Sequence, residues 1–122
     1  MRPSPTFVFS AANVVALKKA LRSEYPDIGS SHADEALAAS FGFKTHASML
    51  HILRQVDVAA RMIVGVDHVQ LAVRLVQLGY LDVSAARLWS LVWKIEFPVR
   101  QYDDEGERAI RMRLMPNAAN SP

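Results

Sequence analysis

Residues 67–95, DHVQLAVRLVQLGYLDVSAARLWSLVWKI, hold two consecutive helical patterns with little polar surface, and they restrict folding more than any other stretch. In the first, Asp67 is placed to cap, Gln70 takes the capping-box position and Gly79 stands just past the end. Gln70, Arg74 and Gln77 make one narrow polar stripe, and Val69, Leu71, Ala72, Val73, Leu75, Val76 and Leu78 surround the rest. The second pattern starts from a cap at Asp82 or Ser84. It leaves only Arg87, Ser90 and Lys94 polar and carries Leu88, Trp89, Leu91, Val92, Trp93 and Ile95 elsewhere. Helices so apolar need enclosure nearly all round. A chain of 122 residues is hard pressed to enclose two of them, so residues 67–95 are expected to expose an apolar patch or to form a contact with a protein partner or a second copy. A Trp-rich core element is the leading reading of Trp89 and Trp93; they are also the candidate contact residues, since tryptophan is enriched at interface hot spots.

The remaining segments are more ordinary. With 51% hydrophobic residues the chain has material for one compact domain, placed here at residues 1–115, and PNAANSP at 116–122 reads as a disordered tail. Thr6 to Phe9 reads as a brief strand with Phe7 and Phe9 on one face, after which Ser10 caps a helix. In that helix Val14, Leu17, Leu21 and Tyr25 follow helical spacing, Lys18, Lys19 and Arg22 lie off the stripe, and Pro26 closes the segment. This basic face is a solvated surface or a phosphate-contacting one. The formal charge of +2 permits nucleic-acid contact without demanding it.

SSHADEALAASFGFKTHASMLHIL, residues 30–53, reads as two short helices hinged at Gly42. Ser31 and Asp34 suggest a capping box, Leu37, Ala38 and Phe41 the buried side, and Gly42 a left-handed stop. Thr45 then caps a helix with Met49, Leu50, Ile52 and Leu53 apolar. A DNA-reading helix-turn-helix would need apolar residues six and nine positions beyond the glycine, where Ser48 and His51 stand. The exposed side would offer Lys44, His46, Ser48, His51 and Arg54, with no Asn or Gln for adenine and one Arg for guanine. Plain helix packing is therefore the leading reading. A DNA-binding regulator using residues 31–54 is the alternative.

Ser31, His32, Glu35, Ala36, Leu37, Gly42, Phe43, Thr45, His46 and Ala47 form a pattern, S-H-x-x-E-A-L-A-x-x-x-G-F-x-T-H-A when one-residue slips are allowed. It resembles a segment of small uncharacterised proteobacterial proteins carried on plasmids, phages or integrated elements, and of helical extensions in some glyoxalase-superfamily proteins. Residues 67–80 resemble a companion piece of the same proteins. The metal-binding βαβββ module of glyoxalases is absent from the sequence, so lyase or dioxygenase activity is not implied. What the resemblance implies is an accessory protein of a mobile element.

QVDVAARMIVGV, residues 55–66, fits a short helix begun by Asp57 or a strand across Met62 to Val66, and the helix is favoured. EFPVRQYDDEGERAIRMRLM reads as a β-hairpin whose first strand, interrupted by Pro98, lies at an edge. Arg111 and Arg113, with Arg100 nearby, would face phosphate or a carboxylate-rich partner, or pair across the strands with Glu96.

Catalytic constellations are thin. His32, His46, His51 and His68 never recur at i, i+4, the chain has no cysteine, and neither a phosphate loop nor a serine elbow occurs. His32 with Glu35 is the one local acid–base candidate. No catalytic residue, metal or cofactor is expected, no segment is long enough to span a membrane, and a cytoplasmic setting is expected. The fold expected is α+β and predominantly α-helical: four or five helices, a short N-terminal strand and a C-terminal β-hairpin. The function expected is a non-enzymatic accessory protein that inhibits or regulates by binding another protein, with weak nucleic-acid contact through Lys18, Lys19, Arg22, Lys44, His46, His51 and Arg54.

Overall fold

A computed structural model describes residues 5–56 and 62–100. The described residues are predominantly helical, with five helices and one two-stranded antiparallel sheet. Strand β1 (Thr6–Val8) pairs with β2 (Ile63–Gly65), Phe7 lying opposite Val64. Two further bonds lengthen the ladder: Phe9 N–H donates to the Met62 carbonyl at 2.7 Å and Val66 N–H to that of Pro5 at 3.3 Å. The helix expected over residues 57–66 is thus corrected where it can be compared, while residues 57–61 lie outside the described part. Ile63, Val64 and Val66 are β-branched, and their hydrogen-bond partner lies over fifty residues upstream, where a local pattern carries no trace of it.

Helices α1 (Ala11–Glu24), α2 (Ser30–Ser40), α3 (His46–Gln55), α4 (His68–Gln77) and α5 (Ala85–Trp93) follow in order. Four of them begin on a side-chain cap that meets an otherwise unpaired backbone N–H. Ser10 accepts from Asn13, Thr45 from Ser48, Asp67 from Val69 and Gln70, and Ser84, rather than Asp82, from Arg87. The capping box expected at Ser31 does not form. α2 starts two residues earlier from Gly29, whose N–H donates to Tyr80 Oη at 3.1 Å, and Asp34 turns instead to Lys18. α2 and α4 end alike. Gly42 (φ 88°) and Gly79 (φ 103°) adopt the left-handed conformation, and the residues after them, Phe43 and Tyr80, donate back to the Ala38 and Leu75 carbonyls, both at 2.9 Å.

The main core gathers Phe7, Leu17, Leu21, Ile28, Leu37, Val66, Leu71, Leu75, Leu88 and Val92. α4 contacts α2 most extensively, and the small buried Ala33 and Ala36 let the two helices approach closely. A lesser cluster of Phe9, Val14, Ala38 and Met49 seats α3. The segment after α5 is fastened to the amino end: Phe97 stacks on Phe7 with centroids 4.4 Å apart, and the Asn13 amide holds Val99 at both its carbonyl (2.8 Å) and its N–H (2.9 Å). Asn13 is fully buried, and its bonds to Val99 and Val8 leave its amide satisfied. Residues 96–100 carry no strand assignment. The rest of the expected hairpin, with Arg111 and Arg113, and the expected tail at 116–122 lie outside the described residues.

Candidate interaction surfaces

Leu71 and Leu75 turn one side of α4 into the core. The opposite side exposes Val69, Val73 and Val76 at 50%, 42% and 43% of their surface. At 100° per residue these three fall within about 60° of arc, forming a stripe along the whole helix. Gln70 and Gln77, both exposed, border it on one flank. Arg74 is the one Asp, Glu, Lys or Arg in α4; it lies about 140° round from Val69 and donates to Gln77 Oε1 at 3.2 Å. Just beyond the glycine stop, Leu81 is 78% exposed. The solvent side of α4 therefore offers valine and carboxamide where a free helix normally presents charge.

The other residues singled out in 67–95 are placed differently. Trp89 and Trp93 meet edge to face and are only 7% and 5% exposed, so the indoles lie on the covered side of α5. The outward side of α5 carries Arg87 and Lys94, and with Glu24, Ala86, Ser90 and Leu91 they line an open groove of about 450 Å³. Arg87 bonds Glu24 at 2.6 Å and stands 5.0 Å over the Tyr25 ring. The Glu24 hydrogen bond, aided by Tyr25, holds the Arg87 guanidinium above its ordinary pKa against a small opposing effect of burial. Arg100 is exposed near the end of the described chain.

Several of the basic residues proposed for nucleic acid are engaged within the chain. Lys18 bonds Asp34 at 2.9 Å and Ser30 at 2.7 Å, and His46 Nε2 stands 3.9 Å from the same Asp34 carboxylate. Arg22 Nε donates to the Ile28 carbonyl at 3.1 Å. Lys19 is exposed, and with Val15, Lys18, Arg22, Ser23 and Pro26 it borders an open groove of about 400 Å³ on α1. Across the hinge, Lys44, Ser48, His51 and Arg54 are exposed, as is Gln55. Gln55 extends α3 beyond the end read from sequence; its amide bonds His51 at 3.4 Å. Glu35 accepts the His46 N–H at 3.4 Å, so α2 supplies two carboxylates to the α3 N-terminus, where the helix dipole favours them.

His32 and Glu35, the local acid–base candidate, are turned apart. His32 Nδ1 meets Tyr80 Oη at 2.8 Å, while Glu35 points to α3. Tyr80 thus links the α4 end to Gly29 and His32 at the α2 start, a junction that sequence reading missed because its halves are some fifty residues apart. The valine stripe was missed for another reason. Apolar content alone asks cover for every such residue of α4, although the 69, 73, 76 spacing already separates Val from the inward Leu71 and Leu75.

No described helix is long and apolar enough to cross a membrane. No family model, curated protein or solved structure matches the chain.

Proposed function

We propose that this chain is a non-enzymatic accessory protein that acts by protein contact, with the outer face of α4 as its contact surface. The observation that carries this reading is the Val69, Val73 and Val76 stripe. It is uncharged and runs the length of a helix whose other side is fixed in the core. Contiguous apolar surface of this kind marks contact sites on small soluble domains. A regulatory or inhibitory role, and a mobile-element setting as the sequence resemblance implies, belong to the same proposal.

DNA recognition through residues 31–54 draws less support. Lys18 and His46 converge on Asp34, Arg22 is engaged by a backbone carbonyl, and Ser48 and His51 are exposed rather than packed. Nucleic-acid binding on this reading is weak, salt-sensitive and indifferent to sequence.

A photo-crosslinking residue at position 73, introduced in the cell from which the chain comes, tests the reading. A protein adduct at position 73 and none at the exposed position 15 of α1 is expected. Absence of an adduct at 73, or equal adducts at both positions, overturns it.

A further inference from the structure

We infer that the partner on this face is a second copy of the chain, its α4 lying antiparallel to the first about a two-fold axis at Val73. The inference rests on the preceding reading of α4 as a contact surface and adds the identity of the occupant. A two-fold contact requires one patch to complement itself, so each group must find its like or its complement across the axis. The α4 face meets that requirement. With the axis at Val73, this residue faces its own copy, Val69 lies opposite Val76, and Gln70 lies opposite Gln77 on the same flank. Val73 meets its copy on the axis, and the Val69–Val76 and Gln70–Gln77 matches hold to about 1.5 Å of helix rise.

The chemistry agrees with the positions. Valine packs on valine, a carboxamide both donates to and accepts from another carboxamide, and antiparallel helix dipoles attract. The stripe holds no carboxylate and no ammonium group that would repel its own copy, and it has no charge pattern that would select an oppositely charged partner. Arg74, the single cation of α4, lies outside the valine stripe on the glutamine flank, where it donates to Gln77 Oε1.

Size sets the strength. Ten residues of helix span about 15 Å, so the pair buries less than the ~1,200 Å² at the lower bound of stable standard interfaces. The contact is a reversible one between subunits that already possess their own core, with a dissociation constant in roughly the micromolar-to-millimolar range.

The chain has no cysteine, so single cysteines report the geometry directly. In the full-length purified chain, Val73→Cys is expected to form a disulfide-linked dimer on mild oxidation. Val69→Cys alone is expected not to, whereas a mixture of Val69→Cys and Val76→Cys is expected to cross-link. Sedimentation equilibrium should show the wild type rising from 13.6 kDa towards twice that mass with concentration. Val73→Glu should weaken association by about tenfold or more, with unchanged far-UV circular dichroism. A Val69→Cys homodimer would overturn the antiparallel arrangement. A wild type that stays monomeric at millimolar concentration overturns the second copy as occupant; if the position-73 adduct still forms in the cell, the contact-surface reading survives that failure. Self-association undiminished by a folded Val73→Glu variant overturns the placement on α4.

Discussion

α4 and α5 are built from nearly the same pattern, yet they leave opposite chemistries in water. Each puts two large aliphatic residues at zero or near-zero exposure in the main core, Leu71 and Leu75 from one, Leu88 and Val92 from the other. On α5 the remaining bulk, Trp89 and Trp93, is covered as well, and the outward side is left to Arg87 and Lys94. On α4 the remaining bulk is the valine stripe, and it stays exposed. The difference teaches that abundant apolar residues on a helix do not by themselves fix how much of it the monomer covers. The placement of charge does: α5 has Arg87, and Lys94 at its cap, to mark its outside, while α4 has its one cation to the side of its outside.

The comparison is broken most severely from within. Leu75→Ala and Leu88→Ala each delete a fully buried side chain, and each should cost about 2–5 kcal/mol in urea unfolding, because transfer and cavity penalties add. The two helices are expected to suffer alike here, since their inner faces share one core. A cost well under ~1 kcal/mol for Leu75 alone would show that α4 is only loosely attached, and the contrast between outer faces would lose its meaning.

Next in size is the stop that ends α4. An added Cβ at Gly79 would meet nothing within 4 Å, so Gly79→Ala tests backbone strain alone at φ 103°. A loss of roughly 1 kcal/mol is expected from melting, and the same at Gly42, which ends α2 at φ 88° with equally open space. α5 closes on Lys94 in the ordinary right-handed region and has no such sensitive position.

These positions also show what sequence reading could reach. Caps at Ser10, Thr45 and Asp67 and stops at Gly42 and Gly79 were readable because each acts within a few residues of itself. β2 was readable only as the less favoured of two alternatives, since what decides for a strand there is β1, and the Asn13 to Val99 clasp was not readable, its partners being separated by most of the chain. The candidate surface was half readable. Residues 67–95 read as too apolar for one domain to enclose; a core role is the leading reading of Trp89 and Trp93, which are the contact candidates as well because large aromatics dominate interfaces in general. In this fold the indoles are covered and the smaller valines are left outside.

The smallest effect is expected on the stripe itself. Val73→Ala, measured on dilute protein, should change stability by no more than about 0.5 kcal/mol, and in the stabilising direction, because alanine is the better helix former and little burial is lost. A loss above ~1 kcal/mol would mean that Val73 is packed within the single chain.

Thiol labelling compares the two outer faces in one experiment. Val73→Cys on α4 and Ser90→Cys on the outward side of α5 are each reacted with a maleimide at rising protein concentration. Labelling at position 73 should slow as concentration rises while labelling at position 90 stays constant, as the proposed cover of the α4 face by a second copy requires. Concentration-independent labelling at both positions, or protection at position 90 alone, would contradict the assignment of α4 as the self-contact surface.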